Sequence, residues 1–283
     1  MKHMREKVMQ CLFFLCACIS ILSIILICLF LFINGIPAIK KIGAGSFLWG
    51  IQWKPLENVF GILPMMIGSI YVTGFAILIG VPLGVLCAVF MVNFCPKPLY
   101  KIVKPAVDLL GGIPSIVYGF FGLLVIVPAV REIWGGSGKG ILTASILLGI
   151  MVLPTIIGVT ETSLCAVPRS YYEGALALGA THERSVFFAM LPAAKSGILA
   201  GIILGVGRVL GETMAVMMVA GNQAAMPNGI TSGVRTMTAN IAMEMAYASG
   251  LHKDALIATA VVLFLFIFII NLCFSLYSSV EKE

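Results

Sequence analysis

Two residues of opposite charge, Arg208 and Glu212, lie four positions apart within the otherwise apolar stretch 205–216. A guanidinium matches a tetrahedral oxyanion better than an ammonium does, because its planar fork of donors can bind two oxygens at once. The pair therefore predicts a pathway for an anion, with Arg208 supplying positive potential and Glu212 holding its side chain in place. The alternative is a salt bridge that serves only the structure.

Helical spacing puts this pair on a ridge of glycines. Gly197, Gly201 and Gly205 recur every four residues, and the same series continues into the charged pair. At 100° per residue, all five positions fall within about 80° of arc. Small residues at this spacing let helices approach closely, and an arginine at a bilayer centre costs roughly 2.5–3.5 kcal/mol. We therefore predict that the pair faces a helix bundle or a pathway rather than lipid.

A second constellation lies in residues 164–193 and has the character of a docking loop. Its key positions are Glu173, Gly174, Ala175, Gly179, Leu191 and Pro192. Residues 170–178 are helical in character, with the following glycine as terminator, and a second short helix over 182–190 is expected to stop before the proline. Two short helices joined at a glycine suit a groove on a partner protein. The alternative is an ordinary loop.

A third segment, Gly111–Ser115, contains two glycines followed by Pro114. This order predicts that one helix ends near Gly112 and another begins at Ser115, because proline suits the first turn of a helix. The free N–H groups of a helix start can hold an anion or form part of a gate. The alternative is a simple kink.

The composition requires a membrane around these segments. The chain has 283 residues, of which 60% are hydrophobic and only 11% are charged, whereas soluble domains carry roughly 25% charged residues. The apolar runs long enough to cross a bilayer are 11–33, 61–93, 106–130, 140–163, 194–219 and 254–277. We predict an all-α integral membrane fold of six transmembrane helices.

The arrangement of charge predicts the orientation. If the N-terminus is cytoplasmic, the segments that lie inside the cell carry more Lys and Arg residues than the segments that lie outside. This places both termini and the loop 164–193 in the cytoplasm, and it makes 220–253 an exposed external loop. The first run is longer than the apolar region of a signal peptide, so we expect a retained helix.

Several other functions are disfavoured. The net charge of +6 is explained by topology rather than by nucleic acid, and the eight cysteines lie mostly in or beside apolar runs without metal-site spacing. The glycine-rich segment 135–140 lacks the first glycine and the Ser or Thr of a phosphate-binding loop. No nucleophile and base suggest catalysis. We expect no catalytic residues, no metal and no cofactor bound by this chain.

The loop 164–193 resembles the cytoplasmic signature of permeases of ABC importers, which is Glu-Ala-Ala, then Gly, then Ile-x-Leu-Pro at fixed spacing. The chain has Glu173-Gly-Ala, Gly179 and Ala189-Met-Leu-Pro at that spacing, with Gly174 and Ala189 as mild departures. Residues 207–216 and 111–119 are similar to the PstC-type subunit of phosphate importers. The Met-Ala that follows Gly-Glu-Thr at 214–215 favours PstC over the PstA type.

This resemblance implies a type I ABC importer permease fold, with residues 61–283 as the permease core and 1–60 as an added helix and external segment. It implies that 164–193 docks on an ATPase, and that ATP is used there and not by this chain. The implied partners are a PstA-type second permease, two PstB-type ATPase subunits and an external PstS-type phosphate-binding protein, which docks near 220–253. Open alternatives are a permease for sulfate or molybdate, and a transporter that acts alone.

Overall fold

A computed structural model describes the backbone of residues 2–280 and the side chains of residues 6–273 and 276. The first half of the chain forms α1 (Lys2–Ile42), α2 (Ala44–Trp49), β1 (Trp53–Lys54), β2 (Val59–Phe60), α3 (Leu63–Val89), α4 (Lys97–Gly112), α5 (Ser115–Phe121) and α6 (Val127–Trp134). The second half forms α7 (Ile141–Cys165), α8 (Arg169–Ala177), α9 (His182–Ser185), α10 (Leu191–Ala193), α11 (Lys195–Gly211), α12 (Met214–Val219), α13 (Met237–Glu244) and α14 (Gly250–Val280). Wider π-type turns extend three helices, at Phe90–Phe94, Gly122–Ile126 and Val186–Met190.

Within the described residues, the prediction of six membrane spans is confirmed in number if one bent helix pair counts as a single span. Five spans are long and apolar enough to cross a bilayer: Glu6–Ile42, Leu63–Phe94, Ser115–Trp134, Ile141–Cys165 and Gly250–Cys273. The sixth consists of His182–Ala193 and Lys195–Gly211, which meet at an angle of 68°.

Two predicted spans are wrong in their bounds. The third was predicted to begin at residue 106, but it begins at Ser115, because the preceding residues form the separate helix α4. The polar and apolar side chains of α4 lie on different faces, as in helices at an interface. The fifth was predicted to be continuous over 194–219, but α11 ends at Gly211 and α12 begins at Met214.

Helices α3 and α7 form the centre of the bundle. A side chain at Gly80 of α3 would collide with Val152 of α7, and one at Gly84 would collide with Ile156. The two backbones therefore lie close together, as small residues allow in membranes. Buried residues of α3, α7 and α12, among them Val72, Leu147 and Val216, form one apolar core.

Helix α1 lies at the edge of the bundle and packs against α14. The Phe32 and Phe264 rings meet edge to face at 5.9 Å between centroids, whereas residues 6–27 are all exposed. The β1–β2 hairpin follows, with Trp53 paired to Phe60, and both side chains are buried with residues of α3, α13 and α14.

The sequence predicts that the segment 220–253 is an exposed loop, but the structure shows that part of it is buried. Residues 236–240 are buried, and α13 packs against α3 and α14. Backbone carbonyls of this segment also complete the start of α7: Ile141 N–H donates to Ser232 O at 3.1 Å and Leu142 N–H to Ile230 O at 2.8 Å. A helix start ordinarily leaves such amides without partners, so the segment is an integral part of the bundle.

Candidate translocation and coupling sites

Arg208 lies in the last turn of α11 and is exposed in the isolated chain. Its Nη1 atom donates to Thr155 Oγ1 on α7 at 3.2 Å. Both residues line a groove of about 590 Å³ that also includes Asn271 of α14. This groove thus combines a guanidinium, a hydroxyl and an amide in apolar surroundings. The sequence analysis does not predict Asn271 as a groove residue, because it is a single amide within an apolar run.

The predicted glycine ridge packs on α7. A Cβ atom at Gly197 would collide with Ser163, and one at Gly201 or Gly205 would press against Val159 or Val152. The ridge is therefore a helix contact, as predicted from the spacing. It holds α11 close enough to α7 for Arg208 to reach across.

Glu212 departs from the predicted helical face. Helix α11 ends at Gly211, and Glu212 has extended backbone angles, φ −69° and ψ 129°. Its Oε1 atom accepts a hydrogen bond from Ala215 N–H at 3.2 Å, so it caps the start of α12. The predicted ion pair is therefore wrong: among the described residues, Glu212 and Arg208 share a narrow crevice but form no salt bridge.

A hydrogen bond from α13 also holds the helix break at Glu212. The Thr238 hydroxyl at the start of α13 donates to the Glu212 carbonyl oxygen at 3.0 Å. This carbonyl belongs to an interrupted helix and would otherwise lack an intrahelical donor. The sequence gives no sign of this contact, because the two residues belong to different segments.

The interruption at Gly111–Ser115 is confirmed as a break between two helices. Helix α4 ends at Gly112, Ile113 and Pro114 are extended, and α5 begins at Ser115. The Tyr118 hydroxyl donates across the break to Leu110 O at 2.8 Å. A role for Gly112 and Ser115 in binding an anion or gating remains a prediction.

The coupling loop, defined here as residues 164–193, has the predicted two short helices. Helix α8 ends before Gly179, whose φ of +84° lies in the left-handed region that favours glycine. Ala180 N–H then donates to Ala175 O at 3.1 Å, which closes the helix end. Glu173 and Gly174 are exposed on the same helix, beside Leu178, which is 91% exposed.

The sequence predicts that the second helix of the loop stops before Pro192, and this prediction is wrong. A wide turn over Val186–Met190 precedes the proline, and Ala194 N–H donates to Met190 O at 3.0 Å. The helix therefore continues through Pro192, although this residue has no amide hydrogen to donate, and it bends only at Ala194. Leu191, the other predicted signature residue, is half-buried beside it.

A buried carboxylate, Glu161, lies at the coupling-loop end of α7. It is only 7% exposed, and it accepts hydrogen bonds from Tyr100 and from Lys104 of α4, the latter at 2.8 Å. The carboxylate beside Lys104 raises the pKa of this ammonium. The Lys104 ammonium is thus charged at neutral pH, and its contribution to stability is lost as the pH rises through its raised pKa. It fastens α4 to α7.

A second buried ion pair lies at the opposite end of the bundle. Arg235 Nη1 is 2.6 Å from Glu244 Oε1, and the two side chains are 16% and 8% exposed. Glu244 Oε2 accepts from Trp53 Nε1 and pairs with His252 Nε2, both at 2.8 Å. This cluster joins the β1–β2 hairpin to α13 and α14. Its members come from different elements, with Trp53 separated from Glu244 by 191 positions, so no regular spacing connects them.

Comparison with known proteins places this geometry in a family. Residues 80–281 match the model of the binding-protein-dependent transport system inner membrane component family. The chain belongs to this family. The match includes both helix breaks, Arg208 and the coupling loop. Helix α1 and the β1–β2 hairpin precede it.

Individual relatives of this permease are similar over most of their length. The probable ABC transporter permease YqgH of Bacillus subtilis is 34% identical over 94% of this chain and 89% of its own. The phosphate transport system permease PstC of Mesorhizobium japonicum is 35% identical over 80% and 75%. PstC of Pasteurella multocida is 35% identical over 78% and 75%.

Solved structures support the fold of this permease. A bacterial ABC transporter involved in alginate import aligns with a TM-score of 0.63 at 15% identity, covering 95% of this chain and 96% of that one. The MetNI methionine ABC transporter aligns at 0.61 and 18% identity, covering 81% and 99%. The predicted fold of a type I ABC importer permease is confirmed. Family membership implies an ATPase and a substrate-binding protein as partners. It also implies that the membrane component is a transport subunit and not itself an enzyme.

Proposed function

We propose that this permease carries inorganic phosphate through the membrane as one subunit of an ATP-driven importer. The relatives named PstC support phosphate as the cargo. The observation that carries the proposal is Arg208, a guanidinium exposed on an apolar helix about 20 Å from the helix start. Contact of this charged group with lipid is costly in free energy, whereas contact with water or a passing anion is not.

The exposed face of α11 needs a protein neighbour. Leu204 is 58% exposed one turn before Arg208, and Met214 is 50% exposed just beyond the break. We propose that a second, PstA-type permease subunit covers this face, so that the anion route lies between the two subunits. Residues 61–283 form the permease core in this arrangement, and residues 1–60 add a helix and an external segment.

The route itself follows the helix breaks. Arg208 attracts the anion, and the groove hydroxyl of Thr155 orients the guanidinium. Glu212 keeps negative charge nearby, so the anion is held loosely enough to leave. The break at Gly112 and the helix start at Ser115 provide a second place where backbone N–H groups can face an anion, and we propose this segment as a gate.

The coupling loop docks on the ATPase. Its exposed helix α8 carries Glu173 beside apolar side chains, a surface suited to a groove. We propose that two PstB-type subunits bind beneath the permease pair and that both termini of this chain lie on the same, cytoplasmic side. A PstS-type protein delivers phosphate to the opposite face, near residues 220–253.

Purification and uptake test the proposal. The chain, expressed with its genomic neighbours and purified through a tag, is expected to retain an ATPase and a second permease. Vesicles holding this complex should accumulate labelled phosphate only with ATP and the binding protein. An excess of unlabelled phosphate should abolish the signal, whereas sulfate and molybdate should not. Competition by sulfate or molybdate, or uptake by the chain alone, would reject the phosphate importer.

Charge reversal at the docking surface gives a sharper result. We expect Glu173→Lys to lower the amount of copurified ATPase several-fold, because the change places a cation on an exposed helix proposed to lie within an interface. Glu132→Lys, at an exposed position of α6 at the opposite end of the bundle, is the matched control and should retain the ATPase. Equal ATPase recovery from both variants would contradict docking at α8.

A further inference from the structure

The imidazole of His182 lies where the coupling loop meets the end of α3. Its Nδ1 atom is 2.8 Å from the Tyr172 hydroxyl of α8, and its Nε2 atom is 3.1 Å from the Asn93 backbone oxygen. The Phe94 ring meets its edge at 4.8 Å between centroids. The side chain thus links both short helices of the loop to a helix that is far away in sequence.

The hydrogen-bond partners determine how the ring acts. A carbonyl oxygen only accepts, so the Nε2 atom of His182 must carry the hydrogen that Asn93 O receives. In the neutral ring, Nδ1 then has a lone pair, and the Tyr172 hydroxyl donates to it. Both ring nitrogens are therefore engaged, and the ring is fixed in one orientation.

The Asn93 carbonyl has a particular need for this donor. It lies in the last turn of a helix, where carbonyls lack intrahelical partners. Proline at position 96 has no N–H, and Cys95 N–H is already directed to Phe90 O. The Asn93 side-chain amide turns back to Val89 O. His182 satisfies the carbonyl from outside, and both residues are half-buried at their contact.

This contact completes a mechanical connection. The loop is joined covalently to α7 and α11, but it meets α3 only through side chains and backbone groups such as these. We infer that His182 is a positioning residue that makes the coupling loop and α3 move as one body. The inference rests on the proposed docking of an ATPase on this loop. Movement of the loop then reaches α3 directly, together with α7, whose Thr155 contacts Arg208.

Hydrogen exchange on the complete complex tests this connection without depending on the cargo. In the wild type, ATP binding to the docked ATPase should change amide exchange both in the loop and in residues 85–97. In His182→Ala the change should remain in the loop and disappear from 85–97. His182→Gln should restore it, because its side-chain amide can donate to Asn93 O. Tyr172→Phe should give an intermediate response.

A functional measurement accompanies the exchange data. We expect phosphate transported per ATP hydrolysed to fall about fivefold or more in His182→Ala, with the ATPase still bound. Tyr71→Phe removes a hydroxyl from an exposed position of α3 and serves as the matched control with unchanged coupling. A purely structural role would lower the yield of complex but leave unchanged both the exchange response of residues 85–97 and the phosphate transported per ATP, and that result overturns the inference. Loss of ATPase from the wild-type chain overturns the proposed function as well.

Discussion

Replacement of Arg208 by Gln is expected to reduce phosphate uptake by about 10–100-fold, while the complex still assembles. Gln keeps a hydrogen-bond donor near Thr155 but removes the positive charge. A charge-assisted hydrogen bond contributes roughly 1.5–3 kcal/mol, and each 1.4 kcal/mol corresponds to about tenfold in affinity. Uptake of labelled phosphate into vesicles, normalised to the amount of assembled complex, measures the effect.

Two further variants isolate the role of the guanidinium. Arg208→Lys keeps the charge without the planar fork and should lie between Gln and the wild type. Arg131→Gln removes an exposed arginine near the C-terminal end of α6 and should transport normally. Normal uptake by Arg208→Gln would remove Arg208 from the pathway and would leave its bond to Thr155 as a helix contact only.

Removal of the Glu244 side chain is expected to give the largest loss of stability. Glu244→Ala leaves Arg235 buried without its carboxylate and deprives Trp53 of an acceptor. Breaking a buried pair in this way costs about 3–5 kcal/mol, which corresponds to a fall of about 10 °C in the thermal midpoint. Thermal unfolding of the purified complex in detergent measures this loss.

A double-mutant cycle checks that the loss arises from the pair. Arg235→Ala with Glu244→Ala should cost less than the sum of the single changes, because neither charge is then left unpaired. Glu57→Ala breaks an exposed pair with Lys54 and should melt like the wild type. An additive double variant, or a midpoint of Glu244→Ala close to the wild type, would show that the cluster does not hold this end of the bundle together.

The features that the sequence predicts correctly are those that depend on neighbouring residues. Apolar length predicts the spans, and the Gly179 terminator and the proline after Gly112 predict helix ends, because each depends on the backbone properties of a few adjacent residues. The glycine ridge is also a property of one helix. Its contact with α7 follows once two helices need close packing.

The errors arise where a local pattern competes with a distant partner. Spacing places Glu212 one turn after Arg208, but its carboxylate caps α12 and its carbonyl is held by Thr238 of α13. Pro192 suggests a helix end, but the helix continues through it after the wide turn over Val186–Met190. Glu161 and Lys104 are separated by 57 positions, so no spacing rule connects them.

The start of α7 has a consequence for biogenesis. Its first amides are satisfied by carbonyls of Val219, Ser232 and Ile230, which are synthesised long after α7 itself. When α7 leaves the ribosome, these partners do not yet exist, so water or the insertion machinery must solvate that end of the helix. The centre of the bundle can therefore be completed only after the fifth span and the segment behind it have been translated. A chain stopped before residue 230 would therefore contain α7 without two of the carbonyls that its first amides bind.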